Sequence, residues 1–186
     1  MRITGGLYGG RALQPPKDMR VRPTSDKVRQ AIFNILTARG LVDGAVVLDG
    51  FCGTGALGLE ALSRGAACAV FIDQSRVSLD LCRQNHAALS VGAPCHFLLK
   101  NCAKPGPRPA EVKPADLVFL DPPYRQDLVR GALEGLGPAG WISVSAHILI
   151  ETEKTFDPAS LAPLGYDANL VRDYGDTRIA LLAPRA

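Results

Sequence analysis

The sequence predicts an α/β fold in which helices cover both faces of a mostly parallel sheet. Two observations lead to this prediction. Five short apolar segments have the character of buried strands, and segments with apolar residues at helical spacing lie between several of them. Strands that alternate with helices pair in parallel through right-handed crossovers, which place the helices on both sides of the sheet.

The first 40 residues differ from the rest of the chain. Residues 1–24 are rich in Gly, Pro and Arg, and short apolar pieces around two glycine pairs predict a small hairpin or arm. Apolar residues at helical spacing then predict an amphipathic helix over about 25–38. Residues 1–40 carry eight Lys and Arg against two Asp, a charge of +6, so the remainder sums to −3. This arm either contacts a polyanion or is a solvated tail.

The strand–helix pattern begins after Gly44. The predicted strands are 45–49, 67–73, 95–100, 116–121 and 146–151, and the predicted helices are 56–64, 75–90 and 126–136. Four prolines make 103–114 largely a loop. In the C-terminal segment, apolar and polar residues alternate over 166–174 and 177–183. This pattern predicts a terminal hairpin that turns at 174–176.

A glycine-rich turn joins the first predicted strand to its helix. Gly53, Gly55 and Gly58 form a GxGxxG pattern, which allows a ligand to approach the backbone and an anionic group to meet the helix N-terminus. Asp73 ends the next strand, 20 residues after Gly53, where a ribose hydroxyl needs an acceptor. Taken alone, this pattern fits an enzyme that binds a nicotinamide dinucleotide.

Asp49 favours a different cofactor. It ends the first strand four residues before Gly53, where its carboxylate would repel the pyrophosphate of a dinucleotide. S-adenosylmethionine instead carries a cationic ammonium and a sulfonium, which a carboxylate attracts. The alternative is that Asp49 and Asp73 only cap the helices that follow them.

Asp121-Pro-Pro-Tyr124 follows the fourth predicted strand, at the edge where open α/β sheets bind ligands. The exocyclic amino group of a base is a poor nucleophile because its lone pair is delocalised into the ring. The Asp121 carboxylate and the Pro122 carbonyl can accept its hydrogens, and Tyr124 can stack on the base for about 1–3 kcal/mol. The motif therefore predicts methyl transfer to a base amino group; otherwise it is a rigid proline turn.

These motifs carry a family resemblance. VLDGFCGTGALGLEALSRGA at 47–66 and the Asp-Pro-Pro-Tyr motif resemble the class I S-adenosylmethionine-dependent methyltransferases that act on amino nitrogens. RITGGLYGGRALQP at 2–15, VRPTSDKVRQAIFN at 21–34 and YGDT at 174–177 are similar to the bacterial 16S ribosomal RNA (guanine-N2) methyltransferases. The resemblance spans nearly the whole chain. It implies a Rossmann-like fold with a mostly parallel seven-stranded sheet and a C-terminal antiparallel hairpin.

The resemblance also implies two domains and a set of site residues. Residues 1–40 would form a basic RNA-contacting arm and helix, and residues 41–186 the S-adenosylmethionine-binding catalytic domain. The residues that would bind the cofactor are Asp49, Gly53, Thr54, Gly55, Asp73 and Asn101. Those that would hold the target guanine are Asp121, Pro122 and Tyr124. Those that would contact RNA are Arg11, Arg22, Pro23, Thr24, Arg29 and Asn34.

One position departs from the family pattern. An acidic residue usually follows the third strand and reaches the adenine amino group of the cofactor. Here Asn101 follows that strand, and its amide oxygen can still accept one hydrogen bond. We therefore expect weaker cofactor affinity, not its loss.

The expected partner is 16S ribosomal RNA or a precursor of the small ribosomal subunit, and the expected enzyme is a cytoplasmic monomer. No stretch approaches the roughly 20 apolar residues of a membrane span, and the N-terminus lacks the apolar core of a secretion signal. Five cysteines without a CxxC pair and three histidines without ligand spacing predict no metal site.

Three alternatives remain open at this point. The same motif serves adenine N6 and cytosine N4, in RNA or DNA, and the choice of guanine comes from the resemblance alone. A nicotinamide-dependent oxidoreductase would leave the Asp-Pro-Pro-Tyr motif without a role. A non-catalytic RNA-binding module would keep the fold without the reaction.

Overall fold

The computed structural model describes residues 1–16, 25–123 and 126–185. In this part of the chain, strands and helices alternate along most of the sequence. The strands are β1 (Val46–Gly50), β2 (Cys68–Asp73), β3 (Cys95–Leu99), β4 (Ala115–Leu120), β5 (Ile142–Glu153), β6 (Tyr166–Tyr174) and β7 (Thr177–Pro184). The helices are α1 (Asp26–Ala38), α2 (Ala56–Ser63), α3 (Arg76–Leu89) and α4 (Gln126–Leu136), with a 3₁₀ helix at Pro158–Leu164.

The strands form one sheet with the order β3-β2-β1-β4-β5-β7-β6. Strands β1 to β5 are parallel, and β7 runs antiparallel to both β5 and β6. The predicted seven-stranded, mostly parallel sheet with a C-terminal antiparallel hairpin is therefore confirmed. The strand order reverses between β1 and β4, so the crevice at their carboxyl ends is where such sheets bind ligands. We call the edge where the parallel strands end the carboxyl edge.

Each face of the sheet has its own apolar core. Phe119 and Leu149 belong to a cluster with α1, α2 and α3, and we call this side the α1 face. Leu120 and Ile150 belong to a second cluster with α4 and the 3₁₀ helix. Alternate strand residues thus point to opposite faces, as strand geometry requires, and helices cover both. In the described residues, no helix is long and apolar enough to cross a membrane.

Two elements differ from the prediction. Strand β5 begins four residues earlier than expected, because its register shifts where Ala115 pairs with Ile142 but Leu117 pairs with His147. The residues in this irregularity include Val144, which is 96% exposed, so they lack the pattern of a buried strand. The 3₁₀ helix was not predicted because it contains Pro163; it starts where the Asp157 carboxylate accepts a hydrogen bond from the Ala159 N–H.

The N-terminal residues form the predicted hairpin, which we call the N-terminal hairpin (residues 1–14). Arg2 and Ala12 form an antiparallel bridge across it. Its tip lies near the C-terminus of α2, where the Leu7 N–H donates to the Ser63 carbonyl at 2.7 Å. Its first residue lies at the other end of α2, where the Met1 sulfur is 3.9 Å from the Thr54 hydroxyl. The open end of the hairpin therefore lies near the carboxyl edge.

Candidate functional site

The chain turns sharply between β1 and α2, and we call Gly50–Gly55 the glycine turn. Phe51, Gly53 and Gly55 have positive φ angles of 60°, 54° and 77°. A Cβ on Gly55 would lie 2.4 Å from the Cys82 sulfur, so only glycine lets the turn pack on α3. A Cβ on Gly53 would meet no described atom nearer than the Phe51 carbonyl oxygen at 3.9 Å. The turn thus presents an open backbone surface at Gly53, and a left-handed Phe51 is a strained feature typical of functional sites.

The Asp49 carboxyl group lies beneath this turn. It is 2% exposed, and its Oδ2 accepts a hydrogen bond from the Gly58 N–H at 2.9 Å. Burial raises the pKa of Asp49 to about 8; the Gly58 N–H acts to lower it, and the negative charge of Asp73 to raise it. The carboxyl group therefore satisfies an N–H in the first turn of α2, as the capping alternative expects. A cation bound nearby would also favour its ionised form.

Asp73 holds the glycine turn from the end of β2. Its Oδ2 accepts from the Gly53 N–H at 3.0 Å, and its Oδ1 accepts from the Ser75 N–H at 2.8 Å. The N-cap of α3 is Ser75, whose hydroxyl accepts from the Ser78 N–H. Asp73 is half-buried, and each carboxylate oxygen has a further lone pair beyond these bonds. This geometry fits an acceptor for ribose hydroxyls.

Asn101 lies exposed after β3 and stabilises its own loop. Its amide oxygen accepts from the Ala103 N–H at 2.8 Å, and its amide nitrogen donates to the Gln74 side chain at 3.3 Å. The oxygen has a second lone pair for a cofactor amino group. The predicted adenine contact stays a prediction.

Asp121 and Pro122 continue β4 at the carboxyl edge, and Tyr124 lies outside the described residues. Leu120 pairs with Ile150 of β5, so Asp121 and Glu151 are the next residues of neighbouring strands. Because Phe119 and Leu149 lie on the α1 face, strand alternation directs Asp121 and Glu151 to that face too. Glu151 is 8% exposed. Glu151 was not among the predicted site residues, although a charged residue at the end of an apolar strand was the available signal.

The predicted RNA contact of Arg29 does not agree with its position in the structure. Its side chain is completely buried, although the sequence resemblance implied an RNA contact. Its Nη2 donates to Asp26 at 2.6 Å and to the Arg2 carbonyl at 2.5 Å, and its Nε lies 3.6 Å from the Glu60 carboxylate. Arg29 therefore joins α1, the N-terminal hairpin and α2, and its side chain is not at the surface for RNA. Its helical spacing to the buried Ile32, Phe33 and Leu36 was the signal for burial.

The other proposed RNA contacts are distributed unevenly. Arg11 is exposed, but its Nη1 donates to the Leu89 carbonyl at the C-terminus of α3, about 20 Å along that helix from the carboxyl edge. Asn34 is exposed on α1. Arg22, Pro23 and Thr24 lie outside the described residues, so their contacts stay predictions.

A groove of about 410 Å³ lies between the N-terminal hairpin and α1. Among its lining residues are the cations Arg2 and Lys27, together with Asp26 and Gln30. Arg2 and Arg29 both form ion pairs with Asp26, so two positive charges compensate the negative charge of its carboxylate. Across the described ranges, no group of three or more His, Cys, Asp or Glu is placed to hold a metal ion.

The family model that matches this chain covers both the N-terminal hairpin and the carboxyl edge. A family model described as "Conserved hypothetical protein 95" matches residues 1–183. Ribosomal RNA small subunit methyltransferase D of Escherichia coli K12 is 39% identical over 153 residues, covering 82% of this chain and 75% of that protein. The putative rRNA methyltransferase YlbH of Bacillus subtilis is 28% identical over 188 aligned positions, covering 100% of both. The solved structure of the putative methyltransferase yhhF from Escherichia coli has a TM-score of 0.79 and 33% identity, covering 100% of this chain and 98% of that chain.

Proposed function

Since this chain belongs to the family of the ribosomal RNA small subunit methyltransferase D proteins, matched by the model described as Conserved hypothetical protein 95, we propose the following reaction. The protein transfers a methyl group from S-adenosylmethionine to the N2 amino group of a guanine in 16S ribosomal RNA. One observation carries the proposal. The glycine turn, with Asp49 and Asp73, lies beside the Asp121-Pro122 segment at the point where the strand order reverses.

The glycine turn fits S-adenosylmethionine through the charges around it. Asp73, which already accepts from the Gly53 N–H, would accept hydrogen bonds from the ribose hydroxyls, and the open backbone at Gly53 would hold the methionyl part. The buried Asp49 supplies a negative charge when a cation is nearby, because opposite charge lowers a carboxyl pKa. An anionic pyrophosphate in the same place would instead keep Asp49 protonated and gain no attraction. The nicotinamide alternative is therefore disfavoured.

Asp121 and Pro122 act on the amino group of the target. The cofactor supplies a methyl carbon activated by the sulfonium charge. The Asp121 carboxylate accepts one N–H of the amine and takes the proton that leaves once the new N–C bond has formed. The Pro122 carbonyl accepts the other N–H, and consecutive prolines fix its direction. Positioning and preorganised acceptors account for catalysis without a covalent enzyme intermediate.

The position of Glu151 beside Asp121 favours guanine over the other bases as the target of methylation. The Watson–Crick edge of guanine presents the N1–H beside the N2 amino group, so two neighbouring donors face the protein. In adenine and cytosine, the ring nitrogen beside the amino group is an acceptor. Neighbouring carboxylates at Asp121 and Glu151 complement two donors and repel an acceptor lone pair. The pair therefore favours guanine N2 over adenine N6 and cytosine N4.

The basic arm supports an RNA substrate. The described part of the arm ends at Pro16, two residues beyond Gln14, and α1 begins after its N-cap Ser25, whose hydroxyl accepts from the Val28 N–H. The residues between carry Lys17, Arg20 and Arg22. We thus propose that residues 1–40 bind 16S RNA, free or in a small-subunit precursor, and that residues 41–186 bind the cofactor. The enzyme acts as a cytoplasmic monomer.

The experiment that tests this function uses methyl-labelled S-adenosylmethionine with unmodified small-subunit RNA, free and in particles. Nucleosides are then identified by mass spectrometry. N2-methylguanosine is the expected product. Labelled N6-methyladenosine or N4-methylcytidine would keep the chemistry and reject guanine. Binding of RNA without any transfer would favour the non-catalytic module, and binding of NAD in preference to S-adenosylmethionine would favour the oxidoreductase.

A further inference from the structure

Asn85 of α3 connects the N-terminal hairpin to the glycine turn. Its side chain is 1% exposed. Its Oδ1 accepts from the Gln14 N–H at 2.7 Å, and its Nδ2 donates to the Gln14 carbonyl at 3.2 Å and to the Thr54 carbonyl at 3.0 Å. One buried amide thus hydrogen-bonds to both backbone groups of Gln14 in the hairpin and to the carbonyl of Thr54 in the glycine turn.

The two partners of Asn85 belong to the two proposed binding functions. Thr54 lies in the glycine turn between Gly53 and Gly55, which we assign to the cofactor. Gln14 is the last residue of the N-terminal hairpin, and Lys17, the next basic residue of the arm, follows three positions later. A ligand that restrains the Thr54 carbonyl therefore restrains the point from which the RNA-binding segment departs.

The hairpin does not depend on Asn85 for its attachment to the protein. Glu60 of α2 accepts from both the Thr4 N–H and the Thr4 hydroxyl, each at 2.7 Å. At the far end of α2, the Ser63 hydroxyl accepts from the Tyr8 N–H at 2.9 Å and donates to the Gly5 carbonyl at 2.6 Å. Losing the Asn85 bonds leaves these contacts in place.

We propose that Asn85 is a positioning residue that couples cofactor binding to RNA binding, an inference that rests on the proposed function. Bound S-adenosylmethionine raises the affinity for RNA, and bound RNA raises the affinity for the cofactor by the same factor, as linkage requires. Asn85 touches neither ligand. It acts by fixing the Thr54 carbonyl and the Gln14 backbone relative to each other.

The test measures RNA affinity with and without saturating S-adenosylhomocysteine, using small-subunit RNA in a filter-binding assay. In the wild type we expect S-adenosylhomocysteine to tighten RNA binding by about 5- to 150-fold. Asn85→Leu removes all three hydrogen bonds, and Asn85→Asp keeps the acceptor for the Gln14 N–H while losing both donated bonds. In each variant we expect the factor to fall towards 1.

Ser63→Ala is the matched control. It also removes two hydrogen bonds to the hairpin, but at the end remote from the glycine turn, so its factor should equal that of the wild type. Thermal unfolding verifies the fold of each variant; should Asn85→Leu fail to fold, the isosteric Asn85→Asp decides.

Four results would overturn the inference. The first is a wild type that binds both ligands with no coupling, and the second is an Asn85→Asp variant with undiminished coupling. The third is an equal loss of coupling in Ser63→Ala, which would assign the effect to hairpin attachment in general. Each of these leaves the proposed function intact. A wild type that binds neither S-adenosylhomocysteine nor RNA would overturn both.

Discussion

Replacing Asp49 by Asn tests the electrostatics of the glycine turn. Burial raises the pKa of Asp49 from 3.8 to about 8. Because each pKa unit corresponds to about 1.4 kcal/mol, ionising this carboxyl in the ligand-free folded protein costs about 6 kcal/mol more than ionising it in the unfolded chain. The folded protein holds this proton between about pH 4 and pH 8, whereas the unfolded chain has lost it. The Asp49 contribution to stability therefore falls as pH rises through this window and is constant above it.

The assay is urea unfolding of the wild type and of the Asp49→Asn variant from pH 5 to pH 9. An Asn amide oxygen can still accept from the Gly58 N–H, so the variant keeps that bond without the titrating group. The stability of Asp49→Asn relative to the wild type should increase by about 1.4 kcal/mol per pH unit up to about pH 8 and then level off. A difference that stays constant across the range would refute the reasoning.

Cofactor binding supplies the second half of this prediction. The cationic ammonium should lower the pKa of Asp49, so binding at pH 7 should release close to one proton from the wild type. Calorimetry in buffers of different ionisation enthalpy measures this release. The Asp49→Asn variant, which has no such proton, should release correspondingly less. Equal release from both proteins would show that the cofactor charge does not reach Asp49.

Three further predictions concern stability, RNA and base choice. Arg29→Met should lower the free energy of unfolding by about 1.5–3 kcal/mol, since it removes the charged hydrogen bonds to Asp26 and to the Arg2 carbonyl and the weaker ion pair with Glu60, which Arg64 still neutralises. Arg39→Met at the exposed end of α1 should change it little, and equal effects in denaturant titrations would contradict this. Lys27 lines the groove between the N-terminal hairpin and α1, and Lys27→Ala should reduce the slope of log RNA affinity against log salt concentration by about one. Lys113→Ala, just before β4, should leave this slope unchanged. Identical slopes for the two variants would show that RNA does not contact the groove. Glu151→Gln should reduce the preference for guanine over 2-aminopurine at the methylated position by about 10-fold or more, because 2-aminopurine keeps the amino group but lacks the N1–H. An unchanged ratio in ligated RNA substrates would show that Glu151 does not contact N1.

The regular part of the fold was predictable from the sequence because its signals are local. Buried parallel strands are nearly continuous apolar runs, and Asp49, Asp73 and Asp121 each stand at the end of one. Parallel topology then brings such strand ends to one edge without any knowledge of side-chain packing. The irregular start of β5 had no such signal, since its residues are partly exposed and its register depends on a neighbouring strand.

Side-chain roles that depend on distant contacts were harder to predict. Arg29 lies on the apolar stripe of α1 and pairs with Asp26 three residues before it, but its second carboxylate neighbour, Glu60, is 31 residues away and could not be identified from the sequence. Asn85 gives no sequence signal, because a single Asn within a helix is uninformative until Gln14 and Thr54 are seen to meet it. Position on an apolar stripe indicates burial, but only the fold identifies the partner.

The most direct test of the central claim, that methyl transfer takes place at the Asp121 segment of the carboxyl edge, is the Asp121→Ala variant. Its transfer rate to small-subunit RNA is measured together with its affinity for S-adenosylmethionine. We expect transfer to be abolished while cofactor affinity stays within a few-fold of the wild type, since the glycine turn follows β1 and Asp73 ends β2, and neither belongs to the Asp121 segment. Transfer that persists at the wild-type rate would contradict the account.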